Sequence, residues 1–306
     1  MPNRRRFLQT AAAASLISPW AAAATASPLR LRYLLATAMY GQEPLGVVLD
    51  EARKLGIDAL DLWPKVHGAH REVIDELGPE QTVEQVRGAG CRIECLTRYD
   101  LGALGLTDEI EVAASVGART IVTGPKQKNP PAGELKAAVR AFVEAMRPTL
   151  SQAANRGVTV AIENHRKNLF ETGDSLRHLA DALDDAGEDA NAMRIALAPA
   201  HLPQDAAAIA SLIADIGPKL HIFYGWERGN EFLRKQPTGR ELEQLPGRGP
   251  LDFGPIVDAL AAAAFDGWTS IFMHPIPRGI PAAGTVDETT TAIIDARTHL
   301  ESLAEG

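Results

Sequence analysis

A single (βα)8 barrel of the α/β class is the fold this 306-residue sequence predicts. Three observations predict it. Eight short apolar segments recur along the chain, at the length of buried strands. Helix-length stretches separate them, which implies parallel strands joined by helical crossovers. The passage from helix to strand repeatedly carries a Gly, as in Leu55-Gly56-Ile57, Ala89-Gly90-Cys91, Val116-Gly117-Ala118, Arg156-Gly157-Val158, Ile216-Gly217-Pro218 and Asp266-Gly267-Trp268. Gly ends a helix in the left-handed conformation without a Cβ clash.

The elements follow in order. Strands are expected over 31–36, 58–63, 91–97 and 119–123, with helices over 43–55, 80–89, 105–116 and 134–155 after them. The second half repeats the pattern with strands over 158–163, 194–198, 219–224 and 269–274. Helices over 174–185, 205–215, 252–264 and 286–303 complete it. Asp174, Asp205 and Asp252 stand where N-caps belong, because a short acceptor side chain can satisfy a free N–H of the first turn. Residues 27–306 fit one barrel of about 250 residues. An open doubly wound sheet is the alternative, but no Gly-x-Gly-x-x-Gly follows the first strand. Two long loops rich in Gly, Pro and charge, 225–250 and 275–285, follow the last two strands. Loops after strands build the functional face of a barrel.

Residues 1–26 stand apart. Arg4-Arg5-Arg6-Phe7-Leu8 has the twin-arginine export pattern, an apolar Ala-rich stretch follows, and Ala24-Thr25-Ala26 offers a small-x-small cleavage site. Pro19 interrupts the apolar run, which is too short for a stable span. This predicts a Tat signal peptide over 1–26, the Tat export machinery as a partner, and a periplasmic or otherwise exported mature chain. No Cys lies at the cut, so no membrane anchor remains after cleavage. Oligomeric state is not legible.

Losing three arginines moves the formal net charge from −8 to −11. An acidic chain of this kind is a poor ligand for nucleic acid or anionic lipid. Cys91 and Cys95, four apart on one strand, point the same way about 13 Å apart and cannot bridge. They read as buried apolar residues.

Chemistry should gather at the strand ends. Strand five closes Val160-Ala161-Ile162-Glu163-Asn164-His165, and a carboxylate ending an apolar strand is costly unless it is paired, metal-bound or catalytic. His201 follows strand six, His221 lies in strand seven and His274 follows Phe272 at the end of strand eight. Imidazole and carboxylate suit Zn, Mn, Co or Fe, and equally metal-free proton transfer near neutral pH. Candidate catalytic residues are Glu163, His165, His201 and His274. Trp63, Tyr224, Trp226 and Tyr40 could stack on a sugar ring. Arg228 and Arg278, in the long loops, could contact hydroxyls or a carboxylate. His67, His70, His178 and His299 read as surface residues.

Several segments resemble one family. Val158-Thr159-Val160-Ala161-Ile162-Glu163-Asn164-His165 is similar to the fifth-strand motif of the xylose-isomerase-like barrels, which include sugar epimerases, hydroxypyruvate isomerase, inosose dehydratase and endonuclease IV. Leu245-Pro246-Gly247-Arg248-Gly249-Pro250-Leu251-Asp252-Phe253 resembles the family's Pro-Gly-x-Gly-x-x-Asp-Phe segment before the last helix. Phe265-Asp266-Gly267-Trp268 resembles its turn into strand eight, and Ala59-Leu60-Asp61-Leu62-Trp63 sits where the family has Glu-Leu. In the family's epimerases a divalent metal is held by Glu, Asp, His and Glu on strands five to eight, and the two Glu move protons beside a carbonyl. Glu163 matches the first. Ala198 replaces the Asp, Phe272 replaces the second Glu, and the His maps to His221, with Phe223 as the other register. The resemblance thus implies a Zn, Mn or Co site using Glu163 and His274 with His201 or His221.

The resulting expectation is an exported sugar isomerase or epimerase-like enzyme working by proton transfer next to a carbonyl of a sugar or keto-sugar. The alternatives are a non-catalytic carbohydrate-binding barrel that has lost the family metal site, and a keto-glycoside lyase or hydrolase. A nuclease like endonuclease IV would need more ligands and a basic face.

Overall fold

The computed structural model describes residues 29–131, 133–229 and 236–305. The expected signal peptide over 1–26 lies outside them. Among the described residues nine parallel β-segments form one sheet, in the order β1-β9-β8-β7-β6-β5-β4-β3-β2. They are β1 (Arg32–Tyr33), β2 (Leu35–Ala36), β3 (Ala59–Leu62), β4 (Arg92–Thr97), β5 (Thr120–Thr123), β6 (Thr159–Glu163), β7 (Met193–Leu197), β8 (Leu220–Gly225) and β9 (Trp268–Ile271). β1 and β2 are one stave interrupted at Leu34. β1 pairs with β9 and β2 with β3, and the Leu34 amide donates to the Thr269 carbonyl at 2.9 Å. The two ends of the sheet therefore meet, and the barrel closes with eight staves, as the sequence predicts.

The helices are α1 (Leu45–Leu55), α2 (Glu72–Leu77), α3 (Pro79–Gly88), α4 (Thr107–Val116), α5 (Leu135–Arg156), α6 (Gly173–Ala186), α7 (Ala206–Ile216), α8 (Gly254–Ala262) and α9 (Val286–Glu305). Gly56, Gly117 and Gly157 take the left-handed conformation at helix ends, whereas Gly217 stays right-handed. Asp205 caps α7 by accepting from the Ala208 amide. Asp174 does not cap α6. Thr172 does, in a reciprocal pair with Ser175 that satisfies two donors at once. Asp252 instead lies one residue before the N-cap Phe253 and accepts from the Gly254 amide at 2.9 Å. Cys91 and Cys95 are free and buried. No helix among the described residues is long and apolar enough to cross a membrane.

Two interior features fix the functional face. Below the loops after β3 and β4, buried Arg71 makes a two-pronged ion pair with buried Glu109, at 2.6 Å from Nε and 2.9 Å from Nη2. Arg98 joins the same carboxylate. After β8, buried Glu227 accepts from the Leu251 amide at 2.8 Å and anchors the Pro-Gly segment. A Cβ at Gly249 would lie 2.3 Å from the Glu227 carboxyl carbon, so only Gly lets that loop pass.

Candidate active site

The tips of β3 to β9 and the loops after them surround a pocket of about 260 Å3 at the C-terminal end of the barrel. That is near the lower end for small-ligand pockets, about 300–1,000 Å3. That volume can hold one small molecule. Glu163, the last residue of β6, forms part of its lining and is 3 % exposed. His201, in the 3-10 turn after β7, brings Nε2 to 3.7 Å from Glu163 Oε1. His165 lies against His201 with ring centroids 4.2 Å apart.

Aromatic rings make the rest of the wall. Trp63 stacks on Phe272 at 4.8 Å with 17° between planes. Trp226 meets Phe272 edge-on at 5.0 Å, and Tyr224 meets it at 6.0 Å. His274 packs 5.0 Å from Trp226 and 4.9 Å from His67. Tyr99, Lys126 and Asn168 complete the lining.

The structure therefore brings Glu163, His165, His201, His274, Trp63, Tyr224 and Trp226 into one pocket. Other expectations need correction. His221 is four residues before the end of β8, about 13 Å below the tip. Its Nε2 pairs with Thr120 Oγ1 at 2.9 Å, at the opposite end of the barrel. Arg228 is drawn away from the pocket: its Nη2 donates to the Leu202 carbonyl at 2.6 Å. Tyr40 is buried against Thr290, its hydroxyl 2.8 Å from Thr290 Oγ1. His67 is not a surface residue; it lines the pocket, because the loop after β3 folds back over the barrel mouth. His70 is 1 % exposed and bonds the Glu43 carbonyl at 2.8 Å.

The electrostatics follow from burial. Glu163 is held well above the usual carboxylate range, first by desolvation and then by the charge of Asp61, while the Tyr224 hydroxyl beside it opposes the shift. Asp61 accepts from Trp63 Nε1 at 2.6 Å and from Thr97 Oγ1, yet burial still lifts it to about 6. Both shifts favour the protonated form, and the shift at Glu163 is the larger. Burial first, then His165 and the cations Arg166, Arg228 and Arg278, lower His201 to about 2, so it is a neutral imidazole. His67 falls to about 4 for the same reasons, with Arg278 as the cation.

Asp61 gives a pH prediction. Its folded pKa is raised, so the folded state binds more protons than the unfolded one between about 4 and 6. Its contribution to stability therefore falls as pH rises through that window. Asp61→Asn, neutral throughout, should gain stability relative to the parent chain from pH 4 to pH 7. Urea unfolding of both proteins at several pH values checks this, and a constant difference would refute it.

The donor set does not fit a divalent metal of the expected kind. Ala198 and Phe272 replace two ligands, the Phe272 ring fills its position by stacking on Trp63, and His221 is at the wrong end. Among the described residues no group of three His, Cys, Asp or Glu side chains is arranged to hold a metal ion. The combinations of Glu163 with His201 or His221 and His274 are corrected accordingly. What remains is a buried carboxyl shifted toward its protonated form, imidazoles and an apolar, ring-lined floor, a set suited to acid–base chemistry on a small polar molecule.

Fold and pocket together define a barrel of one known class. Residues 49–289 match the xylose isomerase-like TIM barrel family, and the chain belongs to it. D-psicose 3-epimerase from Clostridium cellulolyticum H10, solved with D-tagatose, superimposes with a TM-score of 0.65 at 15 % identity, over 88 % of this chain and 99 % of that one. The IOLI protein, solved with a bound zinc atom, gives 0.68 at 14 % identity over 89 % and 98 %. L-ribulose 3-epimerase gives 0.63 at 15 % over 90 % and 96 %. No curated protein matches the sequence.

Proposed function

We propose that this chain is an exported sugar isomerase or epimerase-like enzyme that moves a proton at a carbon beside a carbonyl, without the family's metal site. The observation that carries the reading is a buried carboxyl, Glu163, among the residues lining an aromatic pocket, where burial favours its protonated form. A neutral carboxylic acid kept in an apolar site can donate to a carbonyl oxygen as charge develops there. His274 takes the proton from the adjacent carbon; it stands one step along the stave from Phe272, where the family's second Glu would be. His201 positions the Glu163 carboxyl, and His165 packs against His201. An enediol forms when Glu163 gives its proton to the carbonyl oxygen and His274 takes one from the adjacent carbon. For isomerisation His274 then gives its proton to the former carbonyl carbon while Glu163 takes one from the hydroxyl on the carbon first deprotonated. For epimerisation solvent delivers a proton to the opposite face of that carbon, His274 passes its own to solvent and Glu163 recovers its proton from the oxygen. Trp63, Tyr224 and Trp226 offer apolar faces to the sugar's C–H surface. The named neighbours support sugar as the substrate class, because two of them are epimerases of ketohexose or pentulose type. Chromatography of ketoses and keto-glycosides incubated with the protein should show new isomers or epimers, and no conversion across the panel would count against the reading.

A second reading keeps the sugar but not the turnover. The Phe272 ring stacked on Trp63 removes one acid–base position and improves a stacking platform, as a binding barrel would require. Turnover separates the two: an enzyme converts the sugar it binds and loses that conversion in Glu163→Gln, whereas a binder converts none while both proteins keep their affinity.

The export part rests on Arg4-Arg5-Arg6-Phe7-Leu8. Replacing Arg4 and Arg5 together by Lys should retain the chain inside the cytoplasm at full length, as read by fractionation and immunoblot. Continued export of the double variant would overturn it.

A further inference from the structure

We propose that Gln244 is a positioning residue of this site: its side-chain amide holds the Trp226 indole and the His274 main chain at one fixed spacing. This rests on the sugar and proton-transfer reading above and deepens it. Gln244 closes a 3-10 turn, Glu241–Gln244, in the loop after β8, and is 1 % exposed. Its Oε1 accepts from Trp226 Nε1 at 3.1 Å and from the His274 amide at 3.0 Å. Its Nε2 donates to the His274 carbonyl at 2.9 Å and to the Glu241 carbonyl at 3.1 Å. A primary amide offers two donors and two acceptor positions, so every one is used. A buried polar group satisfied in full rigidifies its surroundings and selects one arrangement of them.

The amide stands where the sheet has run out. β8 ends at Gly225, whose carbonyl takes the Phe272 amide at 3.4 Å. β8 does not reach His274, and the Gln244 side chain supplies both a donor and an acceptor in its place. The turn that carries Gln244 is clamped in turn. The Glu227 amide donates to the Gln244 carbonyl at 2.9 Å. A Cβ at Gly229, where φ is +54°, would lie 2.8 Å from the Gln244 backbone nitrogen. Trp226 passes the constraint on. Its ring lies 5.0 Å from Phe272, 5.0 Å from His274 and 4.9 Å from His201, with interplanar angles of 81°, 90° and 83°. A turned indole would displace both the imidazole that takes the proton and the one that positions Glu163. One amide thereby couples the stacking face to both sides of the proton transfer.

Gln244→Met tests this in the full chain, because it keeps an unbranched side chain of similar length and removes all four hydrogen bonds. The probes are D-fructose, D-tagatose and D-psicose. Turnover should fall about 10- to 100-fold, the scale expected when a reacting group is misplaced by about 1 Å. Affinity, by calorimetric titration, should weaken about 3- to 10-fold as the stacking face turns. The indole N–H signal of Trp226 in the proton NMR spectrum should move. A residue that only held its loop would lower the melting temperature and leave kcat and affinity of the folded protein at parent values, so thermal melting accompanies each measurement. Gln244→Glu keeps the acceptors and regains a donor once protonated. Its affinity relative to the parent should therefore climb as pH falls from about 8 to about 5, while that of Gln244→Met stays flat. An unmoved Trp226 signal, unchanged kcat and affinity in folded Gln244→Met, or Gln244→Glu as weak as Gln244→Met at every pH would each overturn the proposal. A parent chain that binds these sugars without converting them fails the proton-transfer reading alone, and the affinity change still decides the role of Gln244. A parent chain that binds none of the three fails the sugar reading and the proposal built on it.

Discussion

Glu163→Gln is expected to lower turnover by about 10²–10⁴-fold while changing ligand affinity little. The amide is nearly isosteric and can still donate a hydrogen bond, but it holds no transferable proton. The effect belongs to kcat and not KM, because the proton moves only in the transition state. The variant should also fold, since burial disfavours the carboxylate and the amide carries no charge. Steady-state kinetics with a direct binding measurement checks both halves. Unchanged kcat would remove Glu163 from the chemistry.

Glu109→Ala should cost about 3–5 kcal/mol, the usual result of leaving one half of a buried ion pair behind. Arg71 and Glu109 side chains are 6 % and 3 % exposed, and Arg98 converges on the same carboxylate. Removing Glu109 leaves the Arg71 guanidinium buried with only exposed Asp75 as a partner and its own desolvation cost. For a chain of this size the melting temperature should drop by roughly 6–20 °C. Because Arg71 bonds the Trp63 carbonyl through its backbone amide at 3.2 Å, ligand affinity should weaken as well. A loss under about 1 kcal/mol in urea unfolding would show that the pair is not what holds these loops.

The barrel was legible because its signals are local. A Gly after a helix and a short apolar run need no knowledge of the rest of the chain. Glu163 and His201 were legible for a related reason: a polar residue closing an apolar strand points to the functional rim. The same argument, carried through consistently, excludes His221, which is near the start of its strand. His67 and His70 were missed because the segment 64–71 has no period and its position depends on the Arg71–Glu109 pair, a contact 38 residues apart in sequence. The one available signal was that this loop also follows a strand tip. The short helix Glu72–Leu77 was missed for want of a cap, since no side chain caps its start. Asp174 was outcompeted by Thr172 because Ser175 lies three residues further on and completes the reciprocal pair. Arg228 and Arg278 look alike in sequence, both being loop arginines. Only the folded loops show that one is drawn to the Leu202 carbonyl while the other has a buried Nη1 with no partner.

The central claim is proton exchange at carbon in a pocket whose acid is Glu163, and deuterium incorporation reads it directly. The purified protein is incubated with a keto-sugar in D2O, and loss of the C–H signal beside the carbonyl is followed by proton NMR. The account predicts exchange at one carbon, abolished in Glu163→Gln and undiminished by a chelator. Retention of every carbon-bound proton by a substrate that demonstrably binds, or equal exchange with Glu163→Gln, would contradict it.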